Sequence, residues 1–182
     1  RSLLPQKDEK RTTLIVDIGD RRTSFLVSIG STPCFTSSVP LSSQMITDAI
    51  SKSMHLSFEE AEAVKIKHGL GSLALKSPVL KAAQPVLENM AAEIEKSIDF
   101  YLNNLRYSAS VDSIVLCGGG SNMHGLLPYM TRRLGRPVES GNPWVNVRLG
   151  KRIPPIDRGK SVQYSTAIGL ALRGLDEYED VA

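Results

Sequence analysis

The 182-residue chain carries 22 Lys and Arg against 19 Asp and Glu, a formal net charge of +3 at pH 7. That balance sets up no global field for nucleic acid or an acidic membrane, and an aromatic content of 5% offers no base-stacking platform. Apolar content of 41% over this length buries a proper core without staples, and no stretch approaches the ~18 uninterrupted apolar residues of a membrane span.

The start, "RSLLPQKDEKR", has neither a methionine nor the apolar centre of a signal peptide, and reads as the end of an upstream element of a longer protein. Residues 12 to 40 then predict strands. Leu14 to Ile18 is a short apolar run, Phe25, Val27 and Ile29 alternate with Leu26 and Ser28, and Cys34 to Val39 follows Gly30 and Pro33. Short linkers make neighbouring strands antiparallel. Cys34 and Cys117 both fall in apolar segments without a ligand-spaced partner, which predicts buried free thiols, or a disulfide if the fold juxtaposes the two.

The pattern next becomes helical. Ser42 or Ser43 caps a segment with Met45, Ile46, Ala49 and Ile50 on one face. Ser57 and Glu60 form a capping box with Leu56 and Ala61 at staple positions, and Gly69 stops that helix after His68. Ser77-Pro78 opens the longest helix, whose stripe runs Ala83, Leu87, Met90, Ile94, Ile98, Tyr101 and Leu105; Pro85 either kinks it or marks its true start.

From Val111 strand–helix units return. Ile114 to Cys117 is a buried strand, and the glycines after it lead into a helix with Leu126, Leu127, Met130 and Leu134, closed by Gly135 and Pro137. A short strand at Val138 precedes an irregular stretch to Gly159. The last helix carries Tyr164, Ala167, Ile168, Ala171 and Leu172, with Gly169 for close packing and Gly174 as its stop.

The stretch "SIVLCGGGSNMHG" poses the chemical question. A glycine turn between strand and helix lets a ligand approach backbone N–H groups, and it equally serves as a plain bend. A Walker loop needs a lysine and a hydroxyl at the helix start, which are absent here. A dinucleotide fingerprint through Gly118 and Gly120 fails at Met123, although Glu139 lies at a suitable remove for a ribose.

Two other segments bear on the turn. In "LIVDIGDRRTSFLV", Asp17 at a strand end and Gly19 form a hairpin whose N–H groups can surround a phosphate, with Asp17 holding magnesium through water. In "EEAEAVKIKHG", Glu62 and Lys65 share one helix face, where they suit ribose hydroxyls and an adenine edge or form a solvated surface pair.

These segments, with "SFEEAEAVKIKHGLG", "SIVLCGGGSNMHGLLPYMTRRLGRPVESGNPW" and "YSTAIGLALRGL", resemble the second half of the actin-like ATPases, in the FtsA/PilM family. The resemblance implies an α/β fold: one ribonuclease-H-like half, a mixed sheet with flanking helices, formed by residues 1–41 and 109–182. Residues 42–108 would be a small, mainly helical inserted subdomain.

It also implies a nucleotide site. Asp17, Gly19 and Thr23 look like a phosphate loop, with Mg²⁺ on Asp17 through water. Glu62 and Lys65 look like ribose and adenine contacts, and Gly118, Gly119, Gly120, Ser121 and Met123 like the adenosine turn. No catalytic residue is assigned. ATP and Mg²⁺ are expected in the full-length protein, with at most weak ATP binding by this half.

The implied role is a cytoplasmic scaffold in the type IV pilus inner-membrane platform. It would be held at the inner face of the inner membrane through a PilN-like cytoplasmic tail of a bitopic pilus protein and through motor components, without nucleic acid and without a span of its own. The alternative is a competent ATPase domain of an FtsA-like or sugar-kinase-like protein whose first half is missing.

Other residues carry less. His68 suits the carbonyls at a helix end, while His55 and His124 have no visible acid partner. Trp144, after Asn-Pro, packs over a loop or stays exposed as a partner contact. Arg132, Arg133, Arg136, Arg148, Lys151 and Arg152 form a solvated face or an anion-binding one.

Overall fold

A computed structural model of the chain describes residues 2–5, 10–71, 77–104, 110–147 and 156–179. Five strands form one sheet in the order β3-β2-β1-β4-β5: β1 Thr12–Ile18, β2 Thr23–Ile29, β3 Thr32–Val39, β4 Ser113–Cys117 and β5 Val138–Ser140. The tight connections at 19–22 and 30–31 make β1/β2 and β2/β3 antiparallel. β4 and β5 join in parallel, because helices separate them from their neighbours in sequence.

The two-residue period of β1 divides the sheet faces. Leu14, Val16 and Ile18 are fully buried in the main core, while Ile15 joins Val115 and Cys117 on the other face, where Leu3, Leu4 and Leu26 pack. Asp17 points to this second face, half-buried. Cys117 is a buried free thiol as expected, but Cys34 is only half-buried. It lies on the edge strand β3, at a register shift opposite Val27 and Ser28 that leaves it outside the ladder.

Between β3 and β4 come α1 Ser43–Met54, α2 Phe58–His68 and α3 Pro78–Asn104. Ser42 is the cap of α1, its hydroxyl accepting from the Met45 N–H at 3.3 Å. The capping box of α2 is complete: Glu60 N–H donates to Ser57 Oγ at 3.2 Å, and Ser57 N–H donates to Glu60 Oε2 at 2.8 Å. The predicted stripe of α3 is buried from Ala83 to Tyr101; Leu105 lies outside the described residues. Pro85 sits inside α3 rather than at its start. Both Lys81 and Pro85 are exposed, so the carbonyl that loses its partner to proline can turn to water.

Three boundaries differ from expectation. The glycines after β4 do not run straight into a helix: Gly119–Asn122 is a 3-10 turn, and Gly125 at φ +83° separates it from α4 Leu126–Leu134. Tyr164 belongs to a second 3-10 segment, Arg158–Tyr164, whose start is held by Asp157 accepting from the Gly159 N–H at 2.8 Å. Finally α5, Ser165–Glu179, runs through Gly174. That glycine keeps a negative φ, and a glycine inside a helix weakens it by about 1 kcal/mol without ending it. Gly169 does allow a close approach, with Ser2 beside it.

Candidate functional site

Predicted residues from two separate segments, Glu62 and Lys65 on one and Gly119, Gly120 and Met123 on the other, line one cavity of about 620 Å³, which the hairpin reaches through Asp20. Its walls include Asp20, Ser43, Glu62, Lys65, Ile66, Gly119, Gly120 and Met123. The hairpin turn at 19–22 is closed by the Gly19 N–H donating to the Arg22 carbonyl at 3.0 Å. Its Gly19 and Asp20 carbonyls accept from the Ser43 and Gln44 N–H groups at 3.0 and 3.2 Å. The first amides of α1, which have no partner within the helix, are thereby satisfied by the turn.

α2 brings Glu62 and Lys65 to the same wall. Lys65 is buried, and its Nζ lies 2.7 Å from Glu62 Oε2. Thr47 also donates to that oxygen. Burial pushes the Glu62 carboxyl up, but the Lys65 and Thr47 hydrogen bonds and the Lys65 charge outweigh it and hold Glu62 below the usual range. With the folded value depressed, this stabilisation is present above the unfolded value and is lost as pH falls through the folded one.

The three consecutive glycines have different jobs. Gly118 adopts φ +82°, and its N–H donates to the Val162 carbonyl at 3.2 Å. A β-carbon there would collide with Asp17 Oδ1 and lie 2.6 Å from the Ile18 carbonyl oxygen. On Gly120 it would lie 2.5 Å from Ile18 Cγ2, so this glycine lets the turn sit on β1. Gly119 alone has open space in front of it and is exposed to the cavity.

The other predicted site residues lie elsewhere. Gly19 shapes the hairpin, but Asp20 lines the cavity. Thr23 is buried with its hydroxyl donating to the Leu41 carbonyl at 2.8 Å, and Ser121 donates back to the Gly118 carbonyl at 2.7 Å. Both hydroxyls therefore serve the turns. Asp17 faces a second cavity, about 270 Å³, with Ser24, Cys117, Ser165 and Thr166. The two cavities share no lining residue, and Asp17 pairs with Cys117, which lines the same second cavity.

Desolvation raises the Asp17 pKa, so the ionised carboxylate opposes folding. That penalty is full above the raised value and is relieved as pH falls through it. Asp17→Asn is expected to raise the melting temperature at pH 7, with the gain vanishing in acid; thermal unfolding across pH checks this. The same charge adds to burial in pushing the Cys117 thiol up.

Sequence reading missed Lys160 and Gln163, which line the main cavity beside Gly159. The Gly159-Lys160 pair was a visible signal, but its position depends on one 3-10 segment packing on the other. Of the basic residues, Arg133 is tied to Glu88 at 2.6 Å and Glu95 at 2.9 Å on α3, while Arg148, Lys151 and Arg152 lie outside the described residues. Glu139 pairs with Arg11 at 2.7 Å and does not line the main cavity, which removes the dinucleotide arrangement. Trp144 is half-buried, its backbone N–H donating to Asn142 Oδ1 at 3.1 Å. No described helix is long and apolar enough to cross a membrane.

Comparisons with known proteins agree with this architecture. Cell division protein FtsA of Neisseria meningitidis serogroup B is 26% identical over 195 aligned positions, covering 93% of this chain and 44% of FtsA. A PilM–PilN type IV pilus biogenesis complex matches with a TM-score of 0.76 at 31% identity, over 93% of this chain and 47% of the matched chain. MreB5 of Spiroplasma citri bound to ADP shares the fold at a TM-score of 0.68 and 15% identity, over 96% of this chain and 57% of MreB5. The chain thus spans about half the length of these relatives. The family described as type IV pilus assembly protein PilM matches residues 1–175, and with the sheet order and glycine turn above, this chain belongs to it, as an actin-like protein of type IV pilus assembly.

Proposed function

We propose that this chain is one jaw of an actin-like scaffold that holds an adenine nucleotide weakly on its own and completes the site with a second ribonuclease-H-like half. The observation that carries this reading is the convergence of the 19–22 turn, Glu62 and the Gly119–Met123 stretch on one cavity. A volume of about 620 Å³ lies within the ordinary range for small-molecule sites. The open face of Gly119, the carboxylate of Glu62 and the ammonium of Lys160 suit a base, a ribose and a phosphate in turn. ADP in MreB5 and AMPPNP in MamK support a nucleotide as the occupant.

Mg²⁺ would arrive with the phosphates. Among the described residues no group of three or more acidic, His or Cys side chains converges on a metal, so the ion would be held mainly by the nucleotide; Asp17 faces the second cavity, and Asp20 is the aspartate on this wall. Asp20 on the cavity wall disfavours phosphate unless the ion screens it. Residues 42–108 serve in this reading as the subdomain over the base. The PilM–PilN match supports a PilN-like cytoplasmic tail as the partner. That partner, with the motor components, would keep the scaffold cytoplasmic at the inner face of the inner membrane.

Calorimetric titration with Mg-ATP tests the reading. The full-length protein should bind, and this chain alone should bind more weakly than about 100 µM, because the opposing phosphate contacts are absent. Gly119→Val should leave thermal stability within about 0.5 kcal/mol, since its side chain meets open space, while lowering affinity at least about tenfold. Unchanged affinity in Gly119→Val would remove the nucleotide from this cavity.

A further inference from the structure

A groove of about 360 Å³ lies between α3 and α4, apart from both cavities described above. Leu80, Gln84 and Glu88 line it from α3, and Tyr129, Arg132 and Arg133 from α4. Glu88 holds the two walls together: its carboxylate accepts from the Tyr129 hydroxyl and from Arg133 Nε, both at 2.6 Å. Arg133 also donates to Glu95 at 2.9 Å, so its guanidinium is fully engaged within the protein. Arg132 is different. It is exposed, and among the described residues it has no ion-pair partner. Lys81 on the facing helix is likewise exposed and unpaired among those residues. Its spacing to Gln84 and Glu88, three and seven positions, puts it on the groove side of α3. One unengaged cation from each helix therefore flanks an opening lined by Leu80 and Tyr129.

The opposite charge sits at the end of α5. Its last turn carries Asp176, Glu177 and Glu179 and no basic residue. Arg173, one turn earlier, offsets one of these three charges at most. The C-terminal end of a helix is its negative pole, where added carboxylates are unfavourable and an outside cation relieves them. Leu175, directly before the acids, is 64% exposed. α5 thus ends as an acidic segment with an apolar side chain beside it, the complement of the groove in both respects.

The two features lie on opposite sides of the sheet in one molecule. α5 starts on the second face, where Gly169 lines a cavity with Ile15 and Leu26, while α4 packs through Leu126 and Met130 into the main core. A contact between them is therefore a contact between two molecules.

We propose that the α3/α4 groove receives the acidic end of α5 from a second copy of this chain, with Lys81 and Arg132 meeting Asp176, Glu177 and Glu179, and Leu175 entering beside Leu80 and Tyr129. The two surfaces differ, so the contact is heterologous and leaves each copy with one free groove and one free helix end. No residue around the main cavity takes part, so the contact is independent of the nucleotide reading.

Sedimentation equilibrium of the full-length protein tests this. Wild type should associate with a dissociation constant between about 10 µM and about 1 mM at low salt. Raising the salt from about 50 to about 500 mM should weaken association at least about fivefold, because exposed charge pairs are screened. A groove variant, Lys81→Ser with Arg132→Ser, and an end variant, Asp176→Ser with Glu177→Ser and Glu179→Ser, should each associate at least about tenfold more weakly than wild type. Unchanged melting temperatures show that both remain folded. An equimolar mixture of the two variants keeps one intact groove and one intact end, and should stop at 1:1 dimers where wild type goes on to larger species. Wild type that stays monomeric up to about 1 mM overturns the proposal and leaves the groove to a different protein. Association that survives in either variant places the contact on another surface and overturns it too, as does a mixture no more associated than its components.

Discussion

Gly118→Ala is expected to destabilise the protein by about 3 kcal/mol or more and, on the proposed nucleotide reading, to remove that binding. The backbone there sits at φ +82° and ψ 166°, a region essentially reserved for glycine. Space compounds the strain: the added carbon meets Asp17 Oδ1 and lies 2.6 Å from the Ile18 carbonyl oxygen. Asp17 could swing aside, but the Ile18 carbonyl belongs to a strand that pairs on both sides, with β2 and β4. The turn must move instead, taking Gly119 and Gly120 out of the cavity wall. Urea unfolding reads the loss directly; a change under about 1 kcal/mol would mean that the turn relaxes without harm. The neighbouring Gly119→Val variant supplies the control, since the same chain position plus one has room for a side chain.

Gly69→Ala is expected to lower stability by about 2–4 kcal/mol and, on the proposed nucleotide reading, to weaken that binding from a distance. Gly69 ends α2 at φ +52° and ψ −144°. A β-carbon there would collide with the His124 carbonyl oxygen and lie 2.7 Å from His124 Cβ. The same carbonyl accepts the Leu70 N–H at 2.8 Å, so the C-terminus of α2 is pinned to the segment after the glycine turn. Pushing these apart shifts the helix that carries Glu62 and Lys65. Because the collision is with the main chain, adding His124→Ala should not rescue the variant. Equilibrium unfolding of the single and double variants, with ATP affinity alongside, checks both halves of the expectation.

These two glycines show what local pattern hides. Gly69 reads from sequence as an ordinary helix stop and is one, but its tight fit to His124 depends on a loop more than fifty positions onward in the chain coming back to it. The run of three glycines reads as a nucleotide turn or a bend, and each glycine turns out to meet a different demand. Only two of them are required by backbone and packing, and the third is required only if something binds. Likewise, Glu62 and Lys65 look equivalent as a helix-face pair; burial separates them, because α1 closes over the ammonium and leaves one carboxylate oxygen to the cavity.

Period and capping were enough to determine the strands and the helices α1 to α4, though not the two 3-10 segments or the end of α5. The alternation of β1 and β2, the Ser57–Glu60 box and the long stripe of α3 are short-range patterns, governed by the pleat, the helical turn and the unpaired amides at a helix start. Family likeness was also legible, since the motifs that carry it are contiguous. Tertiary structure decided which side of the sheet each functional group serves. Asp17 and Asp20 lie three positions apart, yet one faces the second cavity and the other the main one, because the strand ends between them. Lys160 joins the site only because the Gly118 N–H holds Val162 against the glycine turn. Such placement follows from contacts between distant segments, whose free energy no local window of residues contains.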